Sequence, residues 1–146
     1  MALGVKINLD SLESLIDFSK AYPNETVSVR INPGVKAGGN ENISVGHVDS
    51  KFGITEESID KIVKMDEEKK IKVTTLHIHT GSDIIENNHF ELGIKKIFLI
   101  AQKFKNIETI DLGGGIKIPY FFGDTETDLN KYAKVINEEV KKFKLT

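Results

Sequence analysis

His77 and His79 stand two residues apart, a spacing that puts both side chains on one face of an extended strand. Two imidazoles so placed can bind a metal, stack on a planar ring or move protons near neutral pH. The plainer alternative is a pair of hydrogen-bonded interior histidines. His79-Thr80-Gly81-Ser82 adds hydroxyls and a tight turn just beyond, suited to phosphate oxygens. Further along, Gly113-Gly114-Gly115 directly follows a strand-like run. Glycines there let backbone N–H groups come close to an anion and form a concavity around it, or they make no more than a flexible turn. The triplet is not a dinucleotide fingerprint, because the G-x-G-x-x-G spacing is absent and no helix pattern begins at once. Arg30 lies on the polar side of its own run, where a guanidinium needs an anionic or aromatic partner. It is either a ligand contact or half of an ion pair, with Asp111 as the candidate partner. His47 sits in a glycine-rich loop and its role stays open; His89 reads as a surface residue.

The elements that must hold these residues alternate. Extended runs are expected at Val5–Leu9, Thr26–Asn32, Val73–His79 and Glu108–Leu112. A helix is expected from Asp10-Ser11, capped there with Glu13 three places on, to about Tyr22, with Leu12, Leu15, Ile16 and Ser19 on one face. A second, capped by Thr55, carries the stripe Ile59, Ile62, Val63. The run Asp66-Glu67-Glu68-Lys69-Lys70 reads as a solvated turn. A third helix runs from about Asn88 to Phe104 with Phe90, Ile94, Ile97, Phe98 and Ala101 inward. A fourth begins near Thr127, its stripe Leu129, Tyr132, Ala133, Ile136, Val140 and Phe143.

Four successive strand-then-helix units imply parallel strands joined by right-handed crossovers, an α/β fold. Each strand divides into an aliphatic and a polar set: Val27, Val29, Ile31 oppose Ser28, Arg30, Asn32, and Leu76, Ile78 oppose Thr75, His77, His79. A sheet covered on both faces would read as continuous aliphatic runs instead. The expected architecture is therefore parallel (β/α) units forming about half of a TIM-type (β/α)8 barrel, aliphatic faces toward a helix ring and polar faces inward. Arg30, His79 and Asp111 fall near strand C-termini, the rim where such barrels place their sites. A complete barrel takes roughly 250 residues, so 146 residues correspond to a segment of a larger enzyme or to a half that pairs with a second copy.

Composition removes other classes. Twenty Lys and Arg against 22 Asp and Glu give a net charge of −2 and no electrostatic case for nucleic acid or an anionic membrane. With no Cys there is no disulfide, thiolate zinc site or Cys nucleophile, which fits a reducing compartment. No apolar run approaches the ~20 residues of a membrane span, and Met1-Ala2-Leu3-Gly4 passes straight into patterned sequence without a signal-peptide pattern. A soluble, cytoplasmic domain is expected.

Four strings occur in order: Arg30-Ile31-Asn32-Pro33-Gly34, Asp49-Ser50-Lys51-Phe52-Gly53-Ile54, His77-Ile78-His79-Thr80-Gly81-Ser82, and Asp111-Leu112-Gly113-Gly114-Gly115 with Ile118-Pro119-Tyr120. Together they resemble the fold-type III pyridoxal-phosphate decarboxylases, and within that family the branch acting on diaminopimelate. The resemblance spans about Val5 to Phe143. It implies pyridoxal 5'-phosphate as cofactor, His79 stacked on the pyridine ring as the catalytic contact, Ser82, Gly113, Gly114 and Gly115 as phosphate ligands, and Arg30 near the ring. It implies no metal, a small-molecule amino-acid substrate, and loss of CO2 from meso-diaminopimelate to give L-lysine. It also implies that residues 1–146 are one partial barrel. The family's Schiff-base lysine, its Glu-Pro-Gly-Arg segment and its C-terminal β-domain have no match here, and Lys51 belongs to another motif. The loop Lys36–Asn42 lacks histidines common in the diaminopimelate branch. An isolated segment is thus expected to be inactive. Two other readings compete: a metal-dependent barrel hydrolase using the His-x-His pair with Asp111 or His47, and a non-catalytic half-barrel that self-associates.

Overall fold

The structure, a computed structural model, describes residues 4–35, 51–81, 84 and 87–143, without the side chains of 87–89. Ser82, His47, the loop Lys36–Asn42, Asp49-Ser50 and the His89 side chain therefore lie outside the described residues. Four strands, β1 (Asn8–Leu9), β2 (Thr26–Arg30), β3 (Lys72–His77) and β4 (Thr109–Asp111), form one parallel sheet in the order β1-β2-β3-β4. They alternate with α1 (Leu12–Ala21), α2 (Ile59–Glu67), α3 (Asn87–Ala101) and α4 (Leu129–Lys142). Sequential order with every strand parallel is the connectivity of half a (β/α)8 barrel.

The two strand faces separate as the alternation requires. Val27, Val29, Ile31, Val73, Leu76 and Ile78 are buried, facing a core completed by Leu15 and Phe18 of α1, Ile62 and Met65 of α2, and Ile94 and Ile97 of α3. Each such side chain contributes roughly 1.5–3 kcal/mol by leaving water. Val73 and Leu76, three apart, reach the same face because the β2–β3 register slips between Val27 and Ser28, leaving Thr74 as an extra residue. The opposite face carries Ser28, Arg30, Thr75 and His77, none of them fully buried.

Local chemistry moves several boundaries from their expected places. The β1 ladder is two residues, not Val5–Leu9, since β2 is its sole described partner, and Val5 stays 58% exposed. The β2 ladder stops at Arg30, with Ile31 continuing as a single bridge to Ile54. Of the two caps expected at Asp10-Ser11, Ser11 serves α1, its hydroxyl accepting the Ser14 N–H at 3.2 Å. Thr55 makes no side-chain cap bond; a 3₁₀ turn at Glu56–Ser58 precedes α2. Asp66 is more than a solvated turn residue, because its carboxylate accepts the Val73 N–H at 2.8 Å and ties α2 to β3. Asp128 caps α4 through the Asn130 and Lys131 N–H groups, so the helix starts two residues after Thr127.

The α3 stripe is buried throughout, as expected. The α4 stripe is not. Tyr132 alone is buried, packed on Phe90 with ring centroids 4.3 Å apart, while Leu129 and Val140 remain exposed and Ile136 half-buried. No helix among the described residues is long and apolar enough to cross a membrane.

Candidate functional site

Parallel pairing brings the polar residues together. Arg30 stands level with His77, and His77 with Asp111, on three neighbouring strands. Two backbone bonds lock this end of the sheet: the Ile31 N–H donates to the His77 carbonyl at 2.7 Å and the Ile78 N–H to the Asp111 carbonyl at 2.9 Å. His79 continues beyond β3 and meets the turn after β4. The Gly114 N–H points at His79 Nδ1 across a long 3.4 Å.

The three glycines differ in what they permit. Gly113 has φ +71°, and a Cβ there would lie 2.5 Å from the Ile78 carbonyl oxygen and 2.9 Å from His79 Nδ1. Only glycine lets the turn close on the histidine. A Cβ on Gly114 would meet nothing within 4 Å. Space therefore opens directly beside the backbone of the turn, where an anionic group can approach its N–H groups.

Arg30 does not pair with Asp111. Among the described residues its guanidinium makes no ion pair and instead lies over the Phe52 ring, 5.1 Å from the centroid. The Asp111 carboxylate is turned to its own loop, accepting the Gly113 N–H at 2.8 Å. Phe52 is held in place by Gly53, whose φ of +82° and close approach to the Ile31–Asn32 backbone (2.7 Å from a built Cβ to Asn32 N) leave no space for a side chain. The aromatic partner that Arg30 requires was thus available in the Ser50-Lys51-Phe52-Gly53 string.

Below the rim, Ser28 Oγ donates to Asn8 Oδ1 at 2.8 Å and Asn8 Nδ2 lies 2.9 Å from His77 Nδ1. An amide NH₂ only donates, so this ring nitrogen accepts and Nε2 carries the proton in the neutral form. Asn8 and Ser28 were not singled out from sequence; their alternation to the polar face was the one available signal. Burial, the largest influence on both histidines, pushes His77 and His79 below the ordinary imidazole range; the Asp111 carboxylate opposes it and Arg30 reinforces it. The strands' polar face and their leading ends line a trough of about 770 Å³ that includes Lys6, Asn8, Ser28, Thr75, His77 and Asp111.

Thr80 departs from expectation. It belongs to the outward set with Leu76 and Ile78, is fully buried, and its methyl would stand 3.0 Å from a Cβ on Gly93 of α3. Its hydroxyl oxygen is buried without a hydrogen-bond partner among the described residues. Ser82 is outside the described residues. Among the described residues no three His, Asp or Glu side chains are grouped to hold a metal ion, and His77 Nδ1 already accepts from Asn8.

Beyond the glycine turn a second loop is pinned. Lys117 and Asp124 form an ion pair at 2.7 Å with side chains only 11% and 14% exposed, and Asp124 also accepts the Tyr120 and Thr125 N–H groups. Thr127 Oγ1 donates to the Ile84 carbonyl at 2.7 Å.

With this geometry in hand, the kinship is specific. A family model for the "Pyridoxal-dependent decarboxylase, pyridoxal binding domain" matches residues 1–145. The chain belongs to this family. Diaminopimelate decarboxylase of Methanothermobacter thermautotrophicus is 32% identical over 139 residues, covering 91% of this chain and 32% of the relative. The Staphylococcus aureus enzyme of that name is 35% identical over 143 residues, covering 91% and 33%. The chain spans about a third of the length of the curated relatives it matches. In fold it resembles Helicobacter pylori diaminopimelate decarboxylase complexed with L-lysine, with a TM-score of 0.82 at 23% identity over 97% of this chain and 38% of that one. The arginine decarboxylase of Paramecium bursaria Chlorella virus follows at 0.71 and 23%, over 97% and 37%. Family membership and the partial-barrel fold agree with the resemblance carried by the four sequence strings.

Proposed function

We propose that this chain supplies the ring- and phosphate-facing wall of a pyridoxal-phosphate site in a cytoplasmic amino-acid decarboxylase. The substrate is meso-diaminopimelate and the products are CO2 and L-lysine, which places the enzyme in lysine biosynthesis. The observation that carries the reading is the gathering of Arg30, His79 and the Gly113–Gly115 turn at one rim, on three adjacent strands. Kinship with diaminopimelate decarboxylases at 32% and 35% identity favours that substrate over ornithine or arginine.

The bound cofactor would supply an electron sink for the pair left by the departing carboxylate. His79 presents an imidazole face at the rim, and its lowered proton affinity keeps that face neutral beside Arg30. Gly113 holds the turn against His79, Gly114 and Gly115 offer backbone N–H groups to phosphate oxygens, and Ser82 adds a hydroxyl. Arg30, braced on Phe52, keeps a positive charge near the ring and is in no ion pair among the described residues. Residues 1–146 act as one partial barrel that binds but does not turn over alone, and self-association belongs to the same reading.

Pyridoxamine 5'-phosphate tests this, since it fluoresces and lacks the aldehyde that would react with surface lysines. Saturable binding is expected, weakened at least about tenfold (roughly 1.4 kcal/mol) by His79→Ala and by using pyridoxamine without its phosphate. Equal, unsaturable signals for all three would overturn the reading.

A further inference from the structure

The Gly113–Gly115 turn carries three backbone N–H groups, and they are not equivalent. That of Gly113 is taken, donating to the Asp111 carboxylate at 2.8 Å. That of Gly114 has only the long 3.4 Å contact with His79 Nδ1, and that of Gly115 has no acceptor among the described residues. Behind the turn the Asp111 carbonyl accepts the Ile78 N–H at 2.9 Å; ahead of it the Gly115 carbonyl accepts the Ile84 N–H at 2.9 Å. Asp111 therefore grips β3 through its backbone and its own turn through its side chain. Building on the pyridoxal-phosphate reading above, we propose that Asp111 is the positioning residue of the phosphate cradle. By occupying the Gly113 N–H it fixes the turn in which the Gly114 and Gly115 N–H groups are left for a phosphate.

Three successive glycines need such a restraint. Glycine populates both halves of φ space, so an untied triplet would visit many conformers and lose that freedom on gripping an anion. Here Gly113 sits at φ +71° and Gly115 at +89°. An Asp side chain that bonds the N–H two residues on selects such a turn locally. The charge of the same side chain works against the ligand, because a carboxylate beside the cradle repels a phosphate. Nor is that charge spent on Arg30, which lies over Phe52 instead. Oxygen and charge thus make opposite predictions, and asparagine separates them by keeping an acceptor oxygen without the charge. The histidines do not blur the separation. Burial lowers the proton affinity of His77 and His79 and the Asp111 charge opposes it, so removing that charge leaves both neutral at about pH 7.5.

The test reads phosphate preference, the ratio of dissociation constants for pyridoxamine and pyridoxamine 5'-phosphate, by fluorescence at about pH 7.5. Asp111 is exposed and outside the core, so its variants keep the packed strands. Asp111→Ala should lower the preference at least about tenfold by weakening the phosphorylated ligand, while pyridoxamine itself changes less than about twofold. Asp111→Asn should keep the preference or raise it. Without any ligand, hydrogen exchange at the Gly113 amide should quicken in Asp111→Ala and not in Asp111→Asn; a general loss of packing would quicken the Ile94 and Ile97 amides of α3 as well. Preference lost equally in both variants would assign Asp111 a charge role and overturn the proposal, as would preference unchanged in Asp111→Ala. An unsubstituted chain with no preference for the phosphorylated ligand overturns the pyridoxal-phosphate reading itself, and this inference with it. A preference that is present but indifferent to Asp111→Ala overturns the inference alone.

Discussion

The middle of the sheet and its β4–α4 flank are built from the same kinds of residue with opposite outcomes. On β2 and β3 every aliphatic side chain is sealed under α1, α2 and α3; on β4 Ile110 and Leu112 are half-covered, and α4 buries only Tyr132. The site straddles the boundary. Arg30, His77 and His79 stand on the sealed strands, whereas the glycine turn that faces them hangs from the flank. The two are coupled by the Ile78–Asp111 ladder bond and by the contact of Gly113 with His79. Rigidity is thus placed under the side chains that must hold an orientation. The backbone cradle sits on the strand with the least support of its own.

Core truncation should expose this difference most strongly. Leu76→Ala, at a fully buried position, should cost about 3–4 kcal/mol in urea unfolding, whereas Leu112→Ala should cost about 1 kcal/mol, because its cavity opens to solvent. Equal losses would mean that the flank is sealed as tightly as the middle of the sheet, and the contrast between the two regions would not stand. Next in size is Gly113→Ala, expected to cost about 2 kcal/mol from the positive φ and the collision with the Ile78 carbonyl. Gly114→Ala should stay within about 0.5 kcal/mol in stability yet weaken pyridoxamine 5'-phosphate binding. If Gly114→Ala destabilises as much as Gly113→Ala, the open cradle is misread.

This asymmetry also explains which features were legible in the sequence. Strand count, parallel order and the inward polar set follow from alternation, and alternation survives wherever one face is buried and the other is not. The α3 stripe was equally plain, since all its members are covered. The α4 stripe has the same period, but periodicity records what a helix could bury and not whether anything covers it. Strand ends were misplaced by one to three residues because ladder length depends on the neighbouring strand, not on the strand's own residues. The Arg30–Asp111 pairing failed for a related reason: opposite charges on neighbouring strands were visible, but the shorter-range bond from Asp111 to the Gly113 N–H was not. Asn8 and Ser28 could be placed on the correct face but not tied to His77, since that contact depends on the β1–β2–β3 register.

Smaller effects probe the loop beyond the turn. Lys117→Ala leaves Asp124 with its two backbone N–H bonds but without its counter-charge, and should lower the urea midpoint modestly. Asp124→Asn should cost less under neutral conditions, because the amide oxygen can keep one backbone bond. The lowered proton affinity of Asp124, caused first by the Lys117 hydrogen bond, means that its contribution is present above the usual carboxylate range and is lost as pH falls from there through its lowered value.

The histidines act in a different window, which lets the two regions be separated by pH alone. Burial holds His77 and His79 below the ordinary imidazole value of about 6.5. Between their lowered values and 6.5 the unfolded chain binds more protons than the native one, so stability rises with pH there. The contribution is complete above 6.5 and is lost as pH falls through the folded-state values. Both side chains are part-exposed, so the slope should be small. It should appear in urea midpoints as pH falls below about 6.5, above the range in which Asp124 titrates. His77→Gln should remove about half of it, whereas Lys117→Ala, which belongs to the flank, should lower the midpoint throughout that range and leave the slope intact. A slope that vanished with Lys117→Ala would mean that the flank and the sealed strands unfold as one electrostatic unit, and the division between them would not stand.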